Sequence, residues 1–256
     1  LHKTWSGLFR LLFPDHCRVC EKPLIEAARH PICADCLKEP APLTADYFCA
    51  SCRTPFTTPY PLVEAGLCGL CRRGMNGFDT SASYGFYEGV LQKLIHLYKY
   101  HGIYTLAKPL ADHLMTALPR QDRIDAIVPV PMHWLKQWRR GFNQSELLAE
   151  QVSRRTGVPL LKAMRRRSAP PQAALSDHER RRNVARAFEV AKAVRGLHVL
   201  LVDDVLTTGA TASACGAALK RAGAARVMVL TLARTDRRVA VPLVRVRAKS
   251  KTAGGW

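Results

Sequence analysis

No stretch of this sequence is an apolar run of the roughly 18–20 residues that a membrane-spanning helix requires, so no such span is expected. The short, basic, apolar start LHKTWSGLFRLLFP lacks the small-residue cleavage site of a secretory signal. It runs directly into cysteines, and it reads as a short amphipathic helix leading into them. The sequence opens on Leu1 and not on Met, and its native start is expected upstream. Acidic residues are scarce: 20 Asp and Glu stand against 39 Lys and Arg, a formal net charge of +19. That imbalance points to polyanionic partners, nucleic acid or phosphorylated ligands, and says nothing of the fold. It is concentrated between Trp134 and Arg195, where fifteen Lys and Arg meet five Asp and Glu. The alternative for the same residues is a solvated basic surface.

With 256 residues, 48% of them hydrophobic, the chain is long enough to bury one medium domain and one small one. Nine cysteines occur, and eight form four CxxC pairs before residue 72: Cys17 and Cys20, Cys33 and Cys36, Cys49 and Cys52, Cys68 and Cys71. A CxxC turn brings two thiolates to one metal, and two turns complete a tetrahedral Cys₄ shell, so the eight ligands suit two Zn²⁺ ions. The intervening segments are rich in proline and polar residues, so metal binding is expected to supply much of this region's folding energy. Disulfides are disfavoured because nothing indicates export and the strict spacing favours metal. Four copies are too many for a redox CxxC, and the tighter spacings of iron–sulfur ligation are missing. Sequential pairing, Cys17/Cys20 with Cys33/Cys36 and Cys49/Cys52 with Cys68/Cys71, is favoured over interleaving. The ninth cysteine, Cys215, reads as a small core residue on a helix.

The segment Leu197–Thr211, LHVLLVDDVLTTGAT, carries the most chemistry. The apolar run Val199–Val202 reads as a buried parallel strand ending in two carboxylates, Asp203 and Asp204. A polar loop of Thr207, Thr208, Gly209, Ala210 and Thr211 follows, then small helix-compatible residues up to Arg221. Ligands of open α/β sheets bind at that edge, and a helix N-terminus flanked by hydroxyls cradles phosphate. Paired acids repel a phosphate but hold ribose hydroxyls or Mg²⁺. Together they describe a site for a ribose 5-phosphate group.

Further elements are read from periodicity. Phe78–Phe86 alternates as a strand. Tyr87–Tyr100 has apolar residues at helical spacing with Gly102 as its C-cap, and Leu106–Leu118 is a second amphipathic helix closed by Pro119. Asp125–Pro131, DAIVPVP, is an apolar strand ending in a proline-bracketed turn. RRGFNQ opens a helix over Ser145–Thr156, which puts Arg139 and Arg140 before its N-terminus, suited to a pyrophosphate or nucleic-acid phosphate. Residues 158–196 read as a basic insert of loop and short helix, broken at Pro170 and Pro171. Ala225–Arg234 is another parallel strand, and the basic, aperiodic stretch after Asp236 reads as a disordered tail.

Four CxxC pairs, YEG…LIHLYKYHG, PVP, RGFNQ, VDDVLTTGAT and the closing LAR resemble the ComF/GntX family over about residues 15–235. The VDD…TTGAT stretch is similar to the motif by which type I phosphoribosyltransferases bind phosphoribosyl pyrophosphate (PRPP). The resemblance implies an α/β fold: a type I phosphoribosyltransferase-like parallel sheet flanked by helices, preceded by a small Cys-rich double zinc ribbon. It divides the chain into a zinc-ribbon domain with an N-terminal helix (1–77), a phosphoribosyltransferase-like domain (78–235) and a basic tail (236–256). It implies that Val130, Pro131 and Met132 hold pyrophosphate through backbone N–H groups, and that the 158–196 insert stands where a mobile loop closes over PRPP. Gln172, Leu175, Arg181, Asn183, Ala187 and Phe188 fit the family's pattern there, and Arg166, Arg181 and Arg182 are candidates for pyrophosphate or DNA. Lys99 becomes a candidate phosphate contact, with a snorkelling surface lysine as the alternative. Arg53, Arg72 and Arg73 are the basic residues the cysteine block would present.

By the same resemblance, the expected partners are PRPP with Mg²⁺, single-stranded DNA and other DNA-uptake proteins, and the expected setting is the cytoplasm during natural transformation. One departure concerns the acceptor: Thr207 stands where the hypoxanthine-guanine branch has an aspartate that activates the base. The adenine and orotate branches also lack that acid, so transfer is not excluded. Three readings follow: a phosphoribosyltransferase acting in DNA uptake, a non-enzymatic PRPP sensor or DNA-binding scaffold, and a nucleotide-salvage enzyme without a DNA role.

Overall fold

The structure is a computed structural model that describes residues 16–24, 30–60, 62–72, 75, 77–119, 121–132, 134–166 and 187–235. The expected N-terminal helix, Arg73, Gln172, Leu175, Arg181, Arg182, Asn183 and the tail 236–256 lie outside the described residues.

The cysteine block is built from one local pattern used twice. In each half the first CxxC folds as a tight knuckle. Cys17 N–H donates to the Lys22 carbonyl and Glu21 N–H to the Cys17 carbonyl, and the same two bonds recur as Cys49 to Thr54 and Arg53 to Cys49. The residue after each second cysteine, Glu21 (φ 61°) or Arg53 (φ 52°), is left-handed, which closes the turn without glycine. The other CxxC of each half opens a helical turn, α1 (Ala34–Lys38) capped by Cys33, and later α3 (Gly69–Arg72). Between them lie the two-residue strands β1 (Tyr47–Phe48) and β2 (Pro55–Phe56), paired antiparallel, and the turn α2 (Val63–Gly66).

The sheet follows. Strand β3 (Thr80–Phe86) leads to α4 (Gly89–Tyr100), a 3₁₀ turn at Tyr104–Leu106 and α5 (Ala107–Ala117). Then come β4 (Ala126–Pro129), the short helix α6 (Trp134–Arg140) and α7 (Gln144–Thr156). A hairpin of β5 (Met164–Arg166) and β6 (Phe188–Val190) precedes β7 (His198–Leu206), α8 (Ala210–Arg221) and β8 (Arg226–Arg234). The order is β3-β8-β7-β4, all parallel. The two central strands are the long ones, and each carries a continuous apolar run, Val199–Val202 in β7 and Val227–Leu230 in β8, as burial on both faces demands. Edge strand β4 is covered by the chain that follows α7, with Ile127 N–H donating to Pro159 and Leu161 N–H to Ile127. Neither α6 nor the β5–β6 pair is anticipated by the sequence patterns: no element is read over residues 134–140, and residues 158–196 read as loop and short helix.

Helices cover both faces. Leu94, Ile95 and Tyr98 of α4, Leu110 and Leu114 of α5, and Leu148 of α7 pack against Ile127, Leu200, Val202 and Leu230 on one face. Cys215 and Leu219 of α8 pack with Val128, Val199, Leu201 and Val229 on the other. Each such aliphatic side chain contributes about 1.5–3 kcal/mol on burial. Cys215 is fully buried as expected, and burial pushes its thiol well up.

The cysteine halves divide between these cores: Cys17, Val19, Ile32 and Cys36 join the first, and Cys49, Cys52 and Cys68 join the second. Polar ties reinforce the seating. Arg234 at the end of β8, 1% exposed, donates to the Cys52 carbonyl (2.6 Å) and to Thr54 Oγ1, and Ser81 Oγ donates to the Cys52 carbonyl (2.8 Å).

Candidate functional site

Strand β4 stops beside the middle of β7. Its last pair is Pro129 with Val202, after which Val130 N–H donates to the Val202 carbonyl (2.9 Å). Strand β7 continues to Leu206 along β8 alone. Past Val202 it therefore has a strand neighbour on one side only, and the open side of β7 at the carboxyl edge of the sheet is where open α/β sheets form their ligand crevice. Asp203 and Asp204 are the first two residues there, inside the strand and not at its end.

Consecutive strand residues point to opposite faces, yet both carboxylates meet elements of the side covered by α4 and α7: Asp204 meets α4, and Asp203 meets the first turn of α7. Asp204, 5% exposed, lies on the α4 face, where Lys99 Nζ stands 2.8 Å from its Oδ1. Its Oδ2 is buried without a hydrogen-bond partner among the described residues. Asp203 accepts a hydrogen bond from Ser145 Oγ (2.8 Å) and one from the Asp204 N–H (2.9 Å). Burial, with the neighbouring Asp204 charge, pushes the Asp203 carboxyl up to about 7, against the opposing pull of Ser145, the Asp204 N–H and Lys99. Asp203 is thus poised to carry a proton near neutral pH.

The RGFNQ segment assembles the opposite wall. Asn143 caps α7 by accepting from Ser145 N–H (3.1 Å), and its Nδ2 donates to the Val130 carbonyl (3.2 Å). The same cap sets Ser145 against Asp203. Tyr98 donates to the Gln144 carbonyl (2.8 Å) and packs against Phe142, and burial raises its phenol above the ordinary range. The Gln144 side chain is buried, with Oε1 unpartnered among the described residues. Sequence reasoning missed Asn143, Ser145 and Tyr98. An Asx residue directly before a helical run was the signal available for the first.

The loop from Thr207 to Thr211 closes the far side. Thr207, Thr208 and Ala210 are exposed, Thr211 is half-buried, and Thr208 Oγ1 accepts from Ala210 N–H (3.3 Å). Gly209 is left-handed at φ 76° and lies against Met75, whose thioether a Cβ would strike. The first turn of α8 starts here, with N–H groups that have no intrahelical partner and the positive end of the helix dipole.

The structure places the remaining expected residues as follows. Lys99 is neither a snorkelling surface lysine nor free: it is ion-paired with Asp204 inside the crevice. The turn 130–132 borders the crevice, but Val130 has spent its N–H on Val202 and proline has none, so Met132 is the member left to offer an amide. Arg140 ends α6 with its guanidinium 4.7 Å from the Tyr100 ring centroid. Arg166 stacks over Phe188 and Arg53 over Phe48, while Arg72 and Arg139 are exposed.

The cysteines gather as sequential pairing requires. Cys17, Cys20, Cys33 and Cys36 form one cluster and Cys49, Cys52, Cys68 and Cys71 another, with all ligand atoms within 4.8 Å in each. Thiolates about 2.3 Å from a tetrahedral Zn²⁺ would lie roughly 3.8 Å apart. The Sγ separations are 3.7 Å for Cys20–Cys33, 3.7 Å for Cys49–Cys71 and 3.6 Å for Cys52–Cys68, far beyond disulfide length. N–H groups also point at sulfur, from Cys33 to Cys17 (3.4 Å) and from Cys68 to Cys49 (3.3 Å). Burial raises the Cys17 thiol, but its backbone N–H donors outweigh that and bring it down to about 6. Both clusters have the donor set and spacing of structural zinc sites.

Comparison with known proteins agrees with this architecture. The double zinc ribbon domain matches residues 8–72, and the phosphoribosyl transferase domain matches residues 139–251. Competence protein F of Haemophilus influenzae is 30% identical over 230 residues, covering 86% of this chain and 95% of that protein. The DNA utilization protein YhgH of Escherichia coli K12 is 33% identical over 234 residues, covering 88% and 99%. Among solved structures, the glutamine PRPP amidotransferase of B. subtilis, complexed with ADP and GMP, matches with a TM-score of 0.37 at 22% identity, over 48% of this chain and 25% of that one. With relatives at 30% and 33% identity aligned along nearly their whole length, and a double zinc ribbon followed by a phosphoribosyl transferase domain in this chain, the chain belongs to the ComF/GntX family.

Proposed function

We propose that this protein binds PRPP with Mg²⁺ in the crevice beyond Val202 and acts in DNA uptake in the cytoplasm, with single-stranded DNA and other uptake proteins as partners. The observation that carries the PRPP reading is the run of Asp203 and Asp204, just past the end of β4, into a hydroxyl-rich loop on the N-terminus of α8. In this reading the 5-phosphate sits on Thr207, Thr208, Gly209, Ala210 and Thr211. The ribose hydroxyls meet Asp203 and Asp204, and the pyrophosphate meets Met132 N–H, Arg140 and Lys99. The unpartnered Oδ2 of Asp204 is an oxygen of the kind that would help hold Mg²⁺, which would supply charge neutralisation for the pyrophosphate. In a transfer reaction an acceptor nucleophile attacks ribose C1, the C1–O bond to pyrophosphate breaks, and pyrophosphate leaves with the electron pair. The protein's part is positional and electrostatic. The DNA role rests on the names of the relatives and on the net charge of +19.

The Lys99–Asp204 pair favours a second reading, a PRPP sensor without turnover, because one acid is already neutralised by a lysine. Calorimetry with PRPP and Mg²⁺, followed by pyrophosphate release over a panel of acceptors, separates the two. Release that Asp204→Asn abolishes supports the enzyme, and binding without release supports the sensor. No binding of PRPP at millimolar concentration would sink both. Single-stranded DNA binding that weakens with salt is expected, and its absence at low ionic strength would leave nucleotide salvage. The two Cys₄ clusters are read as structural Zn²⁺ sites, checked by metal analysis of the purified protein.

A further inference from the structure

Among the described residues, six large hydrophobic side chains are most exposed, and four of them come from two short segments: Tyr100 and Tyr104, and Leu135 and Trp138. Trp138 is 82% exposed, unusual for a side chain that is mostly buried in folded proteins. The contact of Arg140 with the Tyr100 ring, 4.7 Å from guanidinium to centroid, brings the two segments together. The His96 ring lies 4.8 Å from Tyr100 along the exposed face of α4, and Arg139 is exposed beside Trp138. Neither residues 89–109 nor residues 133–145 contain a carboxylate, while both carry lysines, and the second adds two arginines. Lys99, between Tyr98 and Tyr100, turns inward to Asp204, so this surface adjoins the crevice.

Exposed rings among cations, on two segments that carry no acids, suit a polyanion that offers flat faces. Unpaired nucleobases stack on aromatic side chains while the phosphates meet the arginines, whereas a duplex hides its base faces. An acidic protein would use the charges but has no need of bare rings. We infer that Tyr100 with Arg140, and Trp138 on a different side of the same short helix α6, offer a stacking platform for successive bases of single-stranded DNA on the rim of the crevice. The inference rests on the DNA-uptake reading and adds to it the surface and the mode of contact.

The test uses the full zinc-loaded chain and fluorescence anisotropy with a labelled 20-nucleotide oligo-dT and an abasic backbone of the same length. The wild type is expected to bind oligo-dT at least about ten-fold more tightly than the abasic strand. Tyr100→Ala and Trp138→Ala should each weaken oligo-dT binding by roughly ten-fold with an unchanged salt slope, and Tyr100→Phe should bind as the wild type does. Arg140→Ala should lower the salt slope by about 0.7. PRPP binding of Trp138→Ala, measured by calorimetry, should stay at the wild-type level. Equal binding of abasic and oligo-dT strands, or wild-type affinity in both aromatic alanine variants, would overturn the platform and leave a plain charged surface. Loss of PRPP binding together with DNA binding in Trp138→Ala would overturn it too. A wild type that binds neither strand at low salt would sink the DNA-uptake reading itself, a result distinct from failure of the platform.

Discussion

Asn143 joins two parts of the site with one side chain. Its oxygen caps α7 and its nitrogen holds the Val130 carbonyl, so helix, turn and Ser145 share a fixed position. Asn143→Asp keeps the cap but turns the donor into an acceptor facing the Val130 carbonyl. It should cost about 1–3 kcal/mol, the penalty for a buried carbonyl losing its donor. Asn143→Ala loses the cap as well and should cost more, read by urea denaturation. An Asp variant as stable as the wild type would show that the Val130 bond is dispensable. Asp203 contributes one pH dependence. Its folded value of about 7 lies above the ordinary 3.8, so between these values the folded state binds the extra proton, and stability falls as pH rises. Asp203→Asn removes that loss. Its melting temperature should match the wild type near pH 4 and exceed it increasingly up to pH 7. A gap independent of pH across calorimetric scans would refute the raised carboxyl.

At the scale of elements, helix α8 is placed by glycine on both sides of one contact. Gly216, inside the helix, faces the backbone of Gly77, and a Cβ on Gly216 would strike the Gly77 carbonyl and lie 3.2 Å from Phe78 Cβ. Helix propensity alone predicts that Gly216→Ala stabilises by about 0.8–1 kcal/mol. Overpacking at a backbone contact costs about 1–3 kcal/mol and should win, lowering stability and moving the Thr207–Thr211 loop that α8 carries. A higher melting temperature for this variant would refute the close approach. Gly209 needs its left-handed φ and its space against Met75, so Gly209→Ala should weaken PRPP binding through the loop's shape, measured by calorimetry. Helices α4, α5 and α7 were legible because apolar residues recur at helical spacing, and α8 because small helix-compatible residues follow the polar loop. Helix α6 was not, because its seven residues are too few for a periodic pattern to stand out.

Across the whole molecule, the two cysteine clusters sit in opposite cores of one sheet, and Arg234 links the second to the end of β8. The boundary near residue 77 therefore divides the sequence by composition, while packing crosses it. Removing metal is expected to destabilise the sheet as well as the ribbons, because four thiolates brought together without an ion repel or must take up protons. Chelation should lower the melting temperature of the whole chain in one transition, with far-ultraviolet dichroism and exchange of the β7 and β8 amides changing together. Sheet amides that stay fully protected after zinc removal would show that the parts fold separately.

The four CxxC pairs, the parallel sheet with its covering helices, and the segment that delivers two acids and a phosphate-friendly loop were all legible before folding. Each of these is written in local spacing: CxxC, a continuous apolar run, a repeat near 3.6 residues. Tertiary structure alone decided how those groups are engaged. Lys99 and Asp204 are 105 positions apart in the chain, yet they form an ion pair, because α4 packs on the face of β7 to which Asp204 points. Val130 loses its amide to Val202 because β4 runs beside β7 at that point. Ser145 reaches Asp203 because Asn143 sets the start of α7. Such engagements depend on the distance between elements remote in sequence, which only the packed chain defines, and they set the charge state of the site that PRPP would enter.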